Sequence, residues 1–310
     1  MTDTNNAPIA IFAFNRADLA AALISSLQRN AGWQQAKVYV FIDGPRTEAE
    51  KQKTDSVRRL FEEVEHPELV ICSRAKNMGL KASLSSGITQ VLKVHDRAII
   101  LEDDLELSRD ALSYFNEALT LYKEDMRVWS ICGDIPKLDG FGRSQAHFMP
   151  VGSSWGWATW SNRWKSYSGN SHSGSPMRKS RVFKDRFNVH GLRNFKTMLA
   201  MEEAGQVNSW YIHWHLTIVR NGGMCLFPPV PMLRNSGFSG GTHASRFSLP
   251  SLFGLGDKEI GDFDFTLPEK VELDFEFTQR VIDTTEWKLL RLNSILGKFK
   301  RSLMGSFKRR

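Results

Sequence analysis

The sequence predicts an α/β protein with a mostly parallel central sheet flanked by helices. Short apolar runs, each typical of a buried strand, alternate with segments whose apolar residues recur at helical spacing. Strands that alternate with helices form βαβ units, and such units build parallel sheets. The chain has 310 residues, which is enough for one large α/β domain.

The predicted elements follow one another from the N-terminus. Strands are expected over residues 8–14, 37–43, 68–73 and 128–134, with a further strand from residue 97 that leads into the acids at 102–104, and helices over 17–29, 47–64 and 81–94. Thr47 is the predicted N-cap of the second helix, with Glu50 completing a capping box. The segment 105–122 has a helical pattern and is expected to follow the fourth strand directly.

The fourth apolar run ends in three consecutive acids, Glu102, Asp103 and Asp104. In an open α/β sheet, ligands bind outside the carboxyl ends of the strands. Adjacent carboxylates repel one another and call for a cation, and Mg²⁺ or Mn²⁺ held by one or two carboxylates and a substrate diphosphate suits them. The alternative is an acidic, solvated strand end that begins a helix.

Polar residues also follow the first three strands: Asn15 and Arg16 after Phe14, then Asp43, then Arg74 and Asn77. An arginine and an aspartate at neighbouring strand ends could hydrogen-bond the edge of a nucleobase, because uracil offers both a donor and acceptors. The alternative is an ordinary helix start followed by an Asp-Gly-Pro turn.

Four tryptophans lie within residues 155–164. Aromatic faces stack on the apolar faces of sugar rings, and indole N–H groups bond hydroxyls, so Trp155 and Trp157 are candidates for sugar contacts. The alternative is a tryptophan-rich core helix. Asp134, at the end of the fifth strand, is either an acceptor-side carboxylate or a turn residue.

The segment 100–115 resembles the core of the GT-A glycosyltransferases, which have a Rossmann-like fold, and the acidic triplet matches their "DXD" element. The resemblance is nearest to the bacterial family 2 sugar transferases and the inverting N-acetylglucosaminyltransferase I type, and it covers most of residues 8–245. It implies a nucleotide-sugar site formed by Phe14, Asn15, Arg16, Asp43, Arg74, Asn77, Glu102 and Asp103. It implies metal ligands at Asp104 and His243, and sugar or acceptor contacts at Trp155, Gly156, Trp157 and Trp210.

One family signature is altered in this chain. Residues 205–214 match the stretch in which an aspartate acts as general base, but Asn208 stands at that position. An amide does not accept a proton at neutral pH, and a general base contributes about 10²–10⁴-fold to a rate. Asp134, His213 and His215 are the candidate substitutes.

The resemblance implies a metal-dependent transferase that moves a sugar, with inversion, from a nucleotide donor to a hydroxyl of a glycan or lipid-linked glycan. UDP is the expected nucleotide, and surface polysaccharide or lipopolysaccharide synthesis is the expected setting. Residues 1–134 would form the nucleotide-sugar half and 135–285 the acceptor half of one domain. Two alternatives stay open: a non-catalytic glycan-binding protein derived from a transferase, and a nucleotidyltransferase, although the latter's glycine-rich loop is missing after the first strand.

The net charge of +7 comes from the C-terminal segment 286–310, which carries eight basic residues. The other 33 basic residues nearly balance the 34 acids, which argues against a nucleic-acid partner. Apolar residues recur every three or four positions there, as in a basic amphipathic helix on an anionic membrane surface, although packing on the body is an alternative. No secretory signal or spanning run is present, so a cytoplasmic protein is expected, with attachment to the inner membrane face as an option.

Overall fold

The computed structural model describes residues 6–136, 138, 144–169, 180–189, 194–237, 260 and 264–284, and structural statements refer to these residues. The strands are β1 (Ile9–Ala13), β2 (Val38–Ile42), β3 (Leu69–Ser73), β4 (Arg97–Glu102), β5 (Leu105–Leu107), β6 (Val128–Cys132), β7 (His147–Met149), β8 (Trp157–Trp160), β9 (Met224–Phe227) and β10 (Leu233–Asn235). The helices are α1 (Ala17–Gln28), α2 (Glu48–Glu62), α3 (Leu80–Val94), α4 (Ala111–Leu121), α5 (Ser161–Trp164), α6 (Arg181–Phe187), α7 (Phe195–Glu203), α8 (Trp210–Arg220) and α9 (Phe275–Asp283).

Eight strands form one sheet in the order β3-β2-β1-β4-β8-β6-β9-β7. Strands β3, β2, β1 and β4 pair in parallel, as do β6 and β9. Strand β8 runs antiparallel between β4 and β6, and β7 runs antiparallel to β9. The predicted α/β architecture with a mostly parallel sheet is therefore confirmed.

The sheet carries a hydrophobic core on each face. In β1 the side chains of Ile9, Ile11 and Ala13 pack on one face, against α1, α2 and α4, whereas Ala10 and Phe12 pack on the other, against α3. Alternate residues of a strand point to opposite faces, so a strand covered on both sides is a continuous apolar run. For this reason the first strand could be predicted from the sequence as an unbroken apolar run.

The carboxyl ends of the six parallel strands lie along one edge of the sheet. Asp43 follows β2, Arg74 follows β3, and the acidic triplet closes β4. Strand β8 begins at this edge, because Trp157 pairs with Cys132 at the end of β6. The fold thus gathers the polar strand ends and the Gly152–Gly156 stretch on one side of the molecule.

The helix expected over residues 105–122 is shorter than predicted. Residues 105–107 form strand β5, which pairs antiparallel with β10, and helix α4 begins only at Ala111. In this ribbon Leu105 lies opposite Asn235, so β10 runs directly beside the acidic triplet. Strand β10 is more than a hundred residues from β5 in the chain, and no local sequence pattern predicts that the two pair.

The capping box before α2 is also modified. The Thr47 hydroxyl accepts the backbone N–H of Glu50 at 3.3 Å, as predicted. The Glu50 carboxylate, however, accepts the N–H of Arg46 at 2.9 Å, one residue before the cap. Glu50 therefore fixes the turn that follows Asp43 as well as the start of the helix.

Two of the three cysteines, Cys132 and Cys225, are buried free thiols, and Cys72 is partly exposed. Among the described residues, no helix is both long enough and apolar enough to cross a membrane. The basic segment 286–310 lies outside the described residues.

Arg163 in α5 is fully buried and links the sheet to the turn before β6. Its guanidinium lies 4.4 Å from the centre of the Trp160 ring. It donates to backbone carbonyls at 2.8–3.2 Å, those of Tyr122, Lys123, Asp125 and Val128. A buried cation is tolerated only when its donors are satisfied, and here carbonyl oxygens do this.

We expect Arg163→Leu to lower the free energy of unfolding by about 3 kcal/mol, because several buried carbonyls lose their donor at once. Urea denaturation followed by tryptophan fluorescence would measure the change. Arg58→Leu is the matched control, since Arg58 forms exposed ion pairs with Asp55 and Glu62. A loss for Arg163→Leu no larger than that of the control would contradict this account.

Candidate functional site

A cleft of about 220 Å³ opens at the carboxyl ends of β1 and β2, beside the N-terminus of α3. We call it the strand-end cleft. Its lining includes five residues predicted or implied by the sequence, together with two that were not predicted. The first group is Phe14, Asp43, Asn77, Asp103 and Asn208, and the second is Arg46 and Ser83.

Asp43 is buried, and its carboxylate accepts hydrogen bonds from backbone N–H groups. It accepts N–H groups from Gly44 at 3.0 Å and from Met78 and Gly79 at 2.9 Å each. Its carboxylate fixes the loop between β3 and α3, where Gly79 adopts a left-handed φ of 75°. Asp43 also lines the strand-end cleft, and its contact with a nucleobase edge stays a prediction.

Asn77 completes this loop from the other side, because its amide donates to the Gly44 carbonyl at 2.8 Å. Arg74 turns back onto α3 and donates to the Ser83 carbonyl at 3.2 Å and the Ser86 hydroxyl at 3.0 Å. Arg74 is not among the residues that line the cleft, and its ligand contact stays a prediction. Asn77 both braces the loop and lines the cleft.

The acidic triplet forms one edge of the cleft. Asp103 is buried and accepts the backbone N–H of Phe14 at 3.1 Å. The Arg16 guanidinium binds Asp103 closely and lies 3.0 Å from a carboxylate oxygen of Asp104. Arg16, predicted to lie against a nucleobase, is thus the counter-ion of the triplet in this structure.

Burial controls the charge of this triplet. Burial, together with the neighbouring charges of Asp104 and Asp103, raises the pKa of Glu102 from 4.5 to about 8. Burial raises the pKa of Asp103 to about 6, although Arg16 opposes the shift. At neutral pH Glu102 therefore keeps its proton while Asp103 is mostly ionised.

Strand β10 closes on the triplet from the opposite side. The Asn235 amide donates to Asp104 at 3.3 Å, and the Ser236 N–H donates to the Asp104 carbonyl at 2.8 Å. A methyl group at Gly237 would overlap the Asp104 carboxylate and approach Arg16 to 2.9 Å. Only glycine allows the chain to pass this close to the acids.

A second cleft, of about 540 Å³, lies between the start of α1 and the middle of α2. Its lining includes Asn15, Arg16, Lys53, Ser236 and Gly237. Arg16 separates this cleft from the strand-end cleft, since its guanidinium is bound to Asp103 and Asp104. The predicted site residues thus divide between two clefts that meet at the triplet.

The residues present fit a divalent metal in part. Asp104 retains 13% side-chain exposure at the edge of the triplet and offers the carboxylate oxygens that Mg²⁺ and Mn²⁺ prefer. In the described part of the chain, no three His, Cys, Asp or Glu side chains converge as a metal site. His243, the other predicted ligand, lies outside the described residues.

The tryptophan-rich segment is mostly core. Trp157 and Trp210 are buried and stack on each other with ring centres 5.4 Å apart. Trp164 and Trp214 pack on Trp157 at 6.0 and 5.6 Å. Other indoles thus cover the rings of Trp157 and Trp210, whose sugar contacts stay predictions.

Trp155 is only partly buried, and it lies on the loop that enters β8 at the site edge. Gly156 has a left-handed φ of 56°, and a side chain there would collide with Leu233. Gly156 is therefore required by the backbone. Trp155 is the tryptophan of this group whose predicted acceptor contact is compatible with its exposure.

Asn208 is exposed and lines the strand-end cleft from the turn before α8. The proposed substitutes for a base at this position are buried. His213 is bonded to Glu202 at 2.8 Å, and His215 lies 2.9 Å from the Phe187 carbonyl. Asp134 is also buried, at 8% exposure. None of these three residues lines the strand-end cleft.

Arg46 is the functional candidate that sequence reasoning missed. Its guanidinium lies 5.1 Å from the centre of the Phe14 ring and pairs with Glu50. An arginine after a Gly-Pro turn is usually solvated, so the residue type and position of Arg46 alone do not indicate a functional role. Its spacing of four from Glu50, close to the aromatic end of β1, could have indicated a fixed side chain.

Comparison with protein-family models and with curated proteins finds no match. Among solved structures, the chain is similar to a mannosyltransferase from Pyrobaculum calidifontis determined in complex with GDP-Man and Mn²⁺. The TM-score is 0.38 and the identity 13%, over 71% of this chain and 75% of that chain. A similarity of this size does not establish a shared fold, and the ligands of that protein are not carried over to this one.

The raised pKa of Glu102 predicts that the free energy of unfolding decreases as the pH rises. Between its ordinary pKa of 4.5 and about 8, the folded state holds a proton that the unfolded state has released. The stability contributed by Glu102 is therefore complete below pH 4.5, falls as the pH rises to 8, and is constant above it. We expect Glu102→Gln to match the wild type near pH 5 and to become progressively more stable than it towards pH 8.

Urea denaturation in EDTA at pH 5, 6.5 and 8 would measure this difference without interference from metal. Glu124→Gln, at an exposed position, is the control and should show no such trend. A stability difference for Glu102→Gln that stayed constant with pH would argue against a protonated Glu102.

Proposed function

We propose that this protein is a metal-dependent glycosyltransferase of the GT-A type, which transfers a sugar from a nucleotide donor to a hydroxyl of a glycan or lipid-linked glycan. UDP is the proposed donor nucleotide, and transfer with inversion follows the sequence resemblance. The observation that carries the proposal is the strand-end cleft, which combines an aromatic wall, two amides and a helix N-terminus with an acidic triplet at its edge.

The arrangement of charges supports a direction for the donor. The nucleoside would lie in the strand-end cleft, between Phe14 and the loop that Asp43 and Asn77 fix. The diphosphate would lie towards Asp104 and Arg16, where the two clefts meet. Loops held by backbone hydrogen bonds reduce the ordering cost of binding, because they already have their bound conformation.

Asp104, with His243 as the second proposed ligand, would hold Mn²⁺ or Mg²⁺. When bound, the metal would act as a Lewis acid that neutralises the leaving diphosphate. Arg16 would contribute a fixed positive charge beside it. Trp155 and Asn208 would border the sugar and the acceptor.

Residues 1–134 would form the donor half and 135–285 the acceptor half. Residues 286–310 would contact an anionic membrane surface from the cytoplasmic side. This would bring a lipid-linked acceptor to the cleft, as in surface polysaccharide synthesis. No nucleic-acid partner is proposed, since basic and acidic residues nearly balance outside this segment.

A second candidate function, glycan binding without transfer, is favoured by one observation. Asn208 occupies the position of the general base, and Asp134, His213 and His215 are all buried. Donor hydrolysis in water separates the two functions, because a binding protein would bind nucleotide weakly and release no sugar. A nucleotidyltransferase would instead release pyrophosphate from a nucleoside triphosphate.

We expect UDP to stabilise the wild type against thermal unfolding only when Mn²⁺ is present, and Asp104→Asn to lose this effect. A ligand at 100 times its dissociation constant adds about 2.7 kcal/mol, which is readily measured. Differential scanning fluorimetry with UDP, GDP, CDP and ADP, each with and without Mn²⁺, would test it.

Asp96→Asn is the matched control, because Asp96 lies just before the other end of β4 and its side chain is 53% exposed. Metal-dependent stabilisation by another nucleotide would keep the transferase but change the donor. Absence of any response to the four nucleotides would refute the proposed function.

A further inference from the structure

Arg46 lies on the side of the cleft away from the acidic triplet. It follows β2, whereas the triplet follows β4, and these strands flank β1 on opposite sides. Neighbouring strands are about 4.8 Å apart, so the two strand ends are separated by about 10 Å. If a diphosphate lies at Asp104, Arg46 is placed near the other end of the nucleotide.

The Arg46 side chain is held in one orientation by Glu50. Its Nε lies 3.0 Å from both carboxylate oxygens, and its Nη2 bonds one of them more closely. Glu50 is itself fixed, because its own N–H bonds Thr47 and its carboxylate accepts the Arg46 N–H. A single glutamate thus fixes both the backbone and the side chain of Arg46.

This pairing leaves one nitrogen of Arg46 available. Nη1 carries two N–H donors and makes no hydrogen bond to any residue that the structure describes, while Arg46 lines the strand-end cleft. The side chains of Arg46 and Glu50 are 49% and 17% exposed. Exposed ion pairs contribute little to stability, so stability alone does not account for this geometry.

The neighbouring ring adds a flat surface. The Arg46 guanidinium lies over Phe14, which also lines the cleft. A planar cation on an aromatic ring forms a surface of the kind on which nucleobases stack. Donors and a stacking surface therefore lie side by side at the β2 end of the cleft, with the Phe14 ring between Arg46 and the triplet.

We propose that Arg46 recognises the nucleobase of the donor by donating Nη1–H to a carbonyl oxygen at the base edge, and that Glu50 positions it. This inference rests on the proposed function. It favours a base with carbonyl oxygens, such as uracil, over adenine, which replaces a carbonyl with an amino donor. It assigns specificity to a residue distinct from those near the diphosphate.

Isothermal titration calorimetry with Mn²⁺ would test this on the full chain, with UDP, uridine, ADP and inorganic pyrophosphate as probes. We expect Arg46→Met to weaken UDP and uridine by at least about tenfold each, because a hydrogen bond to a charged donor is lost. The affinities for ADP and pyrophosphate should stay within about twofold of the wild type, so the preference for UDP over ADP should fall.

Three further variants separate the roles of the Arg46 charge, the Arg46 geometry and the positioning by Glu50. Arg46→Lys retains the charge but not the planar fork and should bind UDP between the wild type and Arg46→Met. Glu50→Gln should cause a smaller loss in the same direction, as befits a positioning residue. Arg58→Met is the control on α2, the helix that carries Glu50; Arg58 pairs with the exposed Asp55 and Glu62, and the variant should bind as the wild type does.

Unchanged UDP affinity in Arg46→Met, with binding still lost in Asp104→Asn, would overturn this inference and leave the proposed function intact. An equal loss for pyrophosphate would place Arg46 at the diphosphate and also overturn it. A wild type that binds none of the four probes would refute the proposed function and this inference together.

Discussion

The site depends on how three adjacent carboxylates are accommodated at the end of β4. Charges removed from water cost several kcal/mol each unless they are paired. The chain compensates in two ways: Arg16 and the Phe14 N–H bind Asp103, and Glu102 keeps its proton up to about pH 8. Both partners of Asp103 come from the end of β1, so the pairing of β1 with β4 makes the triplet possible.

A second carboxylate organises the neighbouring loops by the same principle. Asp43 accepts three backbone N–H groups, and two of them belong to the residues just before α3. Unpaired N–H groups at a helix start need acceptors, and a carboxylate supplies two strong ones. The acids at the ends of β2 and β4 therefore shape the walls of the cleft, while the amides, the aromatic ring and Arg46 remain to contact a ligand.

Much of the fold could be predicted from the sequence, because strands covered on both faces are continuous apolar runs and the helices between them are amphipathic. The β5–β10 ribbon and antiparallel β8 could not, since their partners are distant in the chain and β8 is a short tryptophan-rich segment. For the site, the sequence located Phe14, Asp43, Asn77 and Asp103 at one edge. It could not show which side chains the protein uses internally, as it does Asp43, Arg16 and Trp157.

There is a physical reason why the sequence locates the site residues but does not show which of them the protein uses internally. A residue type that suits a ligand, such as a buried carboxylate or an arginine, also suits the backbone groups and charges of the protein itself. Inside a folded chain those internal partners are already in place, so they are satisfied first. A residue still able to recognise a ligand is one that a neighbour fixes without using all its donors. Arg46 meets this condition, because Glu50 engages Nε and Nη2 and leaves Nη1 free among the described residues.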